Sequence, residues 1–490
     1  MNDLKQKTLR GGIAKLLGQV ADFLIRIATT AVLARLLDPK DFGLVAMVTV
    51  VTGVYARFTT AGLSSATVQH DEVTEGQLST LFWVNMAAGM ALAILCVVTA
   101  PALASFYREP RLYWITVALA AGFLANAAGV QHSALLQREM RFTALTVCET
   151  VAQAVALTAG VVCAWLGVGY WALVAMAVVG PAVASAGKWI ATGWVPGRPR
   201  RGSGVRPMLR FGGTLTVNGL VCYLGYNLEK VLLGRFWGAA SLGVYGRAFN
   251  LINIPTDSLN SSVGGVAFAA LSRVQGEPER LRRYFLKGYT LVMSMTLPIT
   301  ICCALFAEEI VLVLLGPKWH EAAVIFRLLA PTVLVYGMIN PMAWLLLSSG
   351  LQARSLKIAL VIAPLMITAD LLGLSWGPRG VALATSAAMT LWLVPHILWC
   401  IHGTVISVAD LSHAIAMPLV SGIASAGVTF GVKYWAGGLL APVPRLLAGG
   451  VVMLLSYLGM LLFVLGQKEL YLDLYRGIRG ASGKVAPDAG

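Results

Sequence analysis

The sequence predicts an all-α integral membrane protein of about fourteen transmembrane helices. Three observations carry this expectation. Apolar residues make up 58% of the chain and charged residues only 12%, about half the roughly 25% charge of a soluble domain. Apolar runs of about 20 residues, enough to cross a hydrocarbon core of about 30 Å, recur from one end of the chain to the other. Lys and Arg gather in alternate loops between those runs, the asymmetry that insertion into a membrane produces.

The elements follow in order. The first span, Gly12–Leu36, contains Lys15, Asp22 and Arg26 and lacks a small-residue cleavage site. The basic stretch before it, Lys5 to Arg10, is therefore read as the flank of a retained helix and not as a signal peptide. Spans follow at Phe42–Gly62, Leu78–Pro101, Leu112–Leu136, Phe142–Leu166 and Gly169–Thr192. A Pro-, Gly- and Arg-rich segment, Val195 to Gly202, closes this first set. The next spans are Phe211–Phe236, Leu242–Leu271, Gly288–Ala307, Ala322–Ser349, Leu356–Trp376 and Gly380–Ile401, then Leu411–Trp435 and Arg445–Leu465. The domain reading is an N-lobe at 1–194, a basic linker at 195–210, a C-lobe at 211–405, a helix pair at 406–466 and a polar tail at 467–490, disordered over its last ten residues.

With the N-terminus in the cytoplasm, about 22 Lys and Arg fall on the cytoplasmic side and about 9 on the other. Both termini are then cytoplasmic. The loops around His70-Asp71-Glu72 and His402–Asp410 add no basic residue to that count. The net charge of +15 thus reflects topology and excludes nucleic acid as the expected partner. Trp165, Trp171, Trp189, Trp194, Trp237, Trp319, Trp376 and Trp435 lie near span ends, where an amphipathic ring prefers the headgroup level. The seven cysteines all sit in apolar runs without metal-ligand spacing, so neither a disulfide nor a metal is expected.

The chain also repeats itself at an offset of about 200 residues. Leu9, Arg10 and Gly12 recur as Leu209, Arg210 and Gly212; Leu33 and Arg35 recur as Leu233 and Arg235; Gly43 recurs as Gly243. Six spans separate the copies, so both begin on the same side. That is a parallel repeat about an axis along the membrane normal, a transporter plan with the substrate path between the halves.

No phosphate-binding Gly-x-x-x-x-Gly-Lys-Ser/Thr motif and no dinucleotide Gly-x-Gly-x-x-Gly is present. No loop is long enough for a catalytic domain, so no enzyme activity and no cofactor are expected. Asp38 and Asp41 form an acidic pair such as a membrane glycosyltransferase can use. The favoured reading is a turn with Pro39 at its corner and Asp41 capping the next helix.

The stretch Ala34-Arg35-Leu36-Leu37-Asp38-Pro39-Lys40-Asp41-Phe42-Gly43-Leu44-Val45-Ala46 resembles the first-loop signature of the polysaccharide transporter (Wzx-type) flippases. These belong to the multidrug/oligosaccharidyl-lipid/polysaccharide flippase superfamily. Leu271 to Arg283 is similar to that family's central cytoplasmic loop, and Leu315 to Trp319 and Trp376 to Ala382 to its later loops. The branch resembled most is the colanic-acid and succinoglycan exporter type. The resemblance implies a bacterial inner-membrane transporter of two pseudo-symmetric six-helix lobes followed by a C-terminal helix pair, with a central cavity. Its cargo would be undecaprenyl-diphosphate-linked oligosaccharide, and its partners membrane lipids, a polysaccharide polymerase and chain-length regulators. The alternatives are a small-molecule antiporter of the same superfamily and, in another class, a membrane polymerase or glycosyltransferase.

An ionisable residue inside a span costs about 2.5–3.5 kcal/mol on insertion scales and marks a candidate site. Asp22 and Arg26, four residues apart, can pair on one helix face. Arg26 is then the candidate for holding a diphosphate and Asp22 for positioning it, with Lys230 and Arg247 as further basic cavity candidates. Arg57 and Asp257 occupy equivalent positions in the two repeats and are gate candidates. Glu149 and Asp370 have no local partner in the sequence and are candidates for ion coupling. Glu229 and Lys230, being adjacent, project about 100° apart on a helix. Pro255, Pro298, Pro331, Pro341, Pro364 and Pro395 predict bends within spans.

Overall fold

A computed structural model describes residues 2–60, 74–199, 223, 225, 227–436, 440–468 and 471; the side chains of 2–17, 57–60, 261–262, 265–266 and 269 lie outside that description. Outside it too fall His70-Asp71-Glu72, most of the basic linker, Phe211 to Cys222 of the seventh expected span, and the last nineteen residues.

Among the described residues the structure is helical throughout, without a strand. The helices are α1 (Asn2–Leu36), α2 (Pro39–Thr60), α3 (Glu75–Tyr107), α4 (Arg111–Arg138), α5 (Phe142–Trp165), α6 (Trp171–Thr192), α7 (Leu228–Arg273), α8 (Pro278–Leu305), α9 (Ala307–Leu314), α10 (His320–Ser348), α11 (Gln352–Gly373), α12 (Gly377–Ile401), α13 (Val408–Ala436) and α14 (Pro442–Gly459). Nine candidate spans among the described residues are long and apolar enough to cross a membrane. Their outward faces carry large apolar side chains, Ile190, Leu391 and Phe463 among them, as a hydrocarbon solvent permits.

Local chemistry explains the boundaries. Thr74 and Gln77 form a capping box at the start of α3, satisfying two orphan backbone N–H groups. Pro278 and Pro442 open α8 and α14, where a missing N–H costs nothing. Gly193 closes α6 in the left-handed region, with φ 62°.

The prolines do not end their helices. α7 continues through Pro255, and its helical dihedrals fail instead at Gly238, with φ 80° and ψ 178°. That residue separates the seventh and eighth expected spans. The loop expected between the ninth and tenth spans is itself structured, as α9 and a 3₁₀ turn at Pro317–Trp319.

The described chain forms two compact units. The first comprises 1–248, 314–322 and 361–385; the second comprises 249–313, 323–360 and 386–490. In the first unit α4 is central and packs on α2, α3 and α6; α5 packs on α6, and α1 on α5. In the second, α13 lies against α8 and α14. There Glu309 is buried between Lys433 (3.0 Å) and Arg445 (3.5 Å). A buried acid needs such partners, since removing one member of a buried ion pair costs about 3–5 kcal/mol.

Candidate functional site

Two features of the first unit bear on function. The first is a cavity of about 490 Å³ lined by α1, α5 and the last turn of α4. Asp22 and Arg26 face it from α1, with Nε of Arg26 3.0 Å from Asp22 Oδ2. Glu149 faces it from α5 with Thr146, Thr150 and Gln153, joined by Gln19 of α1 and Gln137 of α4. The lining thus combines both charge signs with amides and hydroxyls, the groups that can replace water around a polyhydroxylated solute. Glu149, for which the sequence offers no local partner, lies 3.5 Å from Lys188 Nζ on α6. The helices approach closely here because Gly18 leaves room for the Thr146 side chain.

Lys230, Asp370 and Glu229 form a second polar cluster in the same unit. Glu229 and Asp370 are both buried. Thr385 donates to Asp370 Oδ1 at 2.8 Å. Lys230 Nζ donates to Asn227 Oδ1 at 2.7 Å and stands 3.8 Å from Glu229 Oε1. The adjacent Glu229 and Lys230 therefore do meet, because the long lysine stem curls back across the divergence of their Cα–Cβ bonds. Two buried carboxyls beside one ammonium leave a net negative charge unless one carboxyl holds a proton. Sequence reading singled out Lys230 and Asp370 and gave Glu229 no role; only tertiary packing brings the three into one neighbourhood.

The second feature is the contact between the two copies of the repeat, and it is reciprocal. A Cβ built on Gly43 would collide with the Ala239 carbonyl, and one built on Gly243 would collide with the Pro39 carbonyl. Position 39 thus meets 243 while 239 meets 43, the pairing a two-fold axis produces from an offset of 200 residues. The pattern extends outward. Trp319 donates its indole N–H to the Ala34 carbonyl at 2.8 Å, whereas Gly234, the equivalent of Ala34, abuts Tyr107, with 2.9 Å between its would-be Cβ and Cε1. Gly316 abuts the stem of Arg35, and Arg235, the equivalent of Arg35, lies over the Phe106 ring at 5.7 Å. Arg247 is stacked on Phe42 at 4.1 Å; neither it nor Lys230 lines the α1–α5 cavity.

The acidic pair Asp38 and Asp41 belongs to this contact. Asp41 Oδ2 accepts from the Asp38 N–H at 3.2 Å, and Asp38 Oδ1 accepts from Lys318 Nζ at 2.8 Å. The Asp41 carboxylate braces the turn, and the Asp38 carboxylate ties it to Lys318. Trp319, read from sequence as a headgroup-level ring, is fully buried. Its N–H satisfies one of the last carbonyls of α1, which have no partner within the helix. Trp319→Phe should lower the stability of the purified protein by about 1 kcal/mol, the value of one hydrogen bond. The exposed Lys318–Asp38 pair should be worth less, so Lys318→Gln should shift the thermal midpoint in detergent by a smaller amount. Equal shifts would remove the indole bond from the account.

Of the two gate candidates, the Arg57 side chain lies outside the described residues, and Asp257 sits in α7 two residues beyond Pro255.

Comparisons with known proteins agree with this architecture. The family model described as polysaccharide biosynthesis protein matches residues 32–324. The lipopolysaccharide biosynthesis protein WzxC of Escherichia coli (strain K12) is 27% identical over 376 residues, 76% of each chain. The succinoglycan biosynthesis transport protein ExoT of Rhizobium meliloti (strain 1021) is 26% identical over 66% of this chain and 65% of its own length. The solved inward closed conformation of the lipid II flippase MurJ superimposes with a TM-score of 0.75 at 13% identity, covering 96% of this chain and all of that one; the likeness shows the fold.

Proposed function

The chain belongs to the polysaccharide biosynthesis protein family, and from that premise we infer that it flips lipid-linked oligosaccharide units from the cytoplasmic to the outer leaflet of a bacterial inner membrane. The observation that carries this reading is the cavity in which Arg26, held by Asp22, stands among amides and hydroxyls between apolar helices. Moving one unpartnered hydroxyl from water into hydrocarbon costs roughly 4–8 kcal/mol. Several sugars together cannot cross unaided. A polar-lined passage removes that cost while the polyprenyl tail stays in the bilayer.

Arg26 presents a planar guanidinium suited to a diphosphate. Its partner Asp22 fixes its direction until substrate arrives. The lobes at 1–194 and 211–405 rock about the axis relating Gly43 to Gly243, and the reciprocal contact closes the outer end. Arg57 and Asp257, at equivalent positions in the two repeats, are assigned as the opposing gate. Coupling is assigned to Asp370 with Glu229 and Lys230, and to Glu149. An anionic headgroup moving outward also gains about 2.3 kcal/mol per charge per 100 mV of inside-negative potential. A polysaccharide polymerase and chain-length regulators are the partners such a flippase supplies. No step here makes or breaks a covalent bond. A cation-exporting antiporter would call for an acidic cavity, whereas this one carries both charge signs, with Arg26 beside Asp22 and Glu149.

A strain lacking the gene should accumulate lipid-linked repeat units on the cytoplasmic leaflet, measured by their protection from an impermeant glycosidase in intact spheroplasts. Accumulation on the outer leaflet would assign the chain to polymerisation instead.

A further inference from the structure

The basic residues Arg282, Arg283 and Lys287 fall within the first turns of α8, where they line a second cavity. This space, about 520 Å³, lies in the second unit between the first turns of α8 and the start of α13. Arg282, Arg283, Lys287 and Thr290 line it from α8, and Asp410 and His413 from α13, with Glu279 at its edge. The two acids are already engaged. Asp410 accepts from Arg282 Nε at 3.0 Å and from its Nη2 at 2.5 Å, and the Ser407 N–H donates to it at 3.0 Å. Those bonds from Arg282 hold the Asp410 carboxyl well below the usual carboxylate range. Glu279 stands 3.7 Å from the same guanidinium.

Arg283 and Lys287 are different. They are four residues apart and share a helix face, and among the described residues neither has an ion-pair partner. They sit within two turns of the expected membrane entry at Gly288, at headgroup depth. His413 joins them: its Nδ1 is 2.7 Å from the Ala409 carbonyl, which can only accept, so Nδ1 carries the proton and Nε2 remains for the cavity. One and two turns further along the same face of α13, Met417 and Val420 are exposed. A polar pocket thus opens onto an apolar strip.

From this juxtaposition we propose that the cavity between α8 and α13 binds the phosphate of an anionic phospholipid, whose acyl chains lie along Met417 and Val420. Arg283 and Lys287 carry the charge, Thr290 supplies a hydrogen bond to the phosphate, Nε2 of His413 accepts one from a headgroup hydroxyl, and the Arg282–Asp410 pair fixes the spacing of the two helices. The site is separate from the α1–α5 cavity and stands whether or not that cavity binds a diphosphate.

The test uses full-length protein, delipidated in detergent and titrated with phosphatidylglycerol or phosphatidylethanolamine, with retained lipid read by native mass spectrometry. Wild-type protein should retain phosphatidylglycerol preferentially. The double variant Arg283→Gln/Lys287→Gln should lose about thirty-fold in affinity for it, from about five-fold per charge near the surface. Both side chains are exposed, and an unchanged thermal midpoint confirms an intact fold. Arg280→Gln, whose arginine pairs with Glu277 and does not line the cavity, should bind as wild type. The proposal is overturned if the double variant retains phosphatidylglycerol fully, or if Arg280→Gln loses as much. Inorganic pyrophosphate added in competition separates the sources. Displacement of the lipid supports phosphate recognition, whereas pyrophosphate binding without any phosphatidylglycerol preference overturns the phospholipid assignment.

Discussion

Gly43→Ala should abolish polysaccharide export and expose the outer end of the protein. The added methyl falls on the Ala239 carbonyl, a backbone atom that cannot rotate away. Overpacking of this kind typically costs about 1–3 kcal/mol, and a rigid backbone partner places the cost at the upper end. A penalty of about 3 kcal/mol on one conformation shifts its equilibrium with an alternative about 150-fold. Because the methyl stands in the contact between the repeats, the penalty acts on the form closed there. In a background freed of the seven native cysteines, Ala239→Cys, buried in the contact, should react with an impermeant maleimide much faster beside Gly43→Ala than beside wild-type Gly43. Gly243→Ala should behave alike, since the contact is reciprocal. Gly246→Ala supplies the control: the residue lies one turn further along α7, and nothing stands within 4 Å of its would-be Cβ. There the substitution should be neutral or slightly stabilising, as alanine is the better helix former. Equal labelling of all three variants would dismiss the contact as a gate.

Arg26→Ala should reduce export by at least about 100-fold while leaving the amount of protein in the membrane unchanged. The Arg26 side chain is 58% exposed and its Asp22 partner 32% exposed. An ion pair so open is worth about 0–1 kcal/mol to stability, so the fold survives its loss. Any large effect therefore lies in transport. Arg26→Lys keeps the charge and loses the planar fork, and should recover only part of the activity. Asp22→Asn keeps the guanidinium and loosens its position, and should be milder than Arg26→Ala. The readout is surface polysaccharide per unit of membrane-embedded protein. Export by Arg26→Ala at the wild-type rate would take Arg26 out of the mechanism.

The legibility of the two features differs for physical reasons. Asp22 and Arg26 could be paired on paper because a helix brings positions i and i+4 together whatever surrounds it. Lys230 with Glu229, and Glu149 with Lys188, escaped because they depend on side-chain curvature or on a neighbouring helix. The burial of Trp319 escaped for a similar reason. Its position near a span end was read correctly, but α1 supplies the carbonyl that draws the indole inward.

By itself the sequence determined an all-helical membrane chain, with nine candidate spans among the described residues, because a helix in hydrocarbon must satisfy its own backbone and needs a continuous apolar run to do so. It also determined the 200-residue repeat, through glycines whose reason was not visible in one dimension. The tertiary structure alone decided what those glycines are for. Gly43 and Gly243 are small because each lies against the backbone of the other copy, and a backbone-to-backbone approach leaves no volume for a side chain. Which charges share a cavity, Arg26 with Glu149 or Arg283 with His413, was likewise decided by helix packing, since residues more than a hundred positions apart meet only when their helices do.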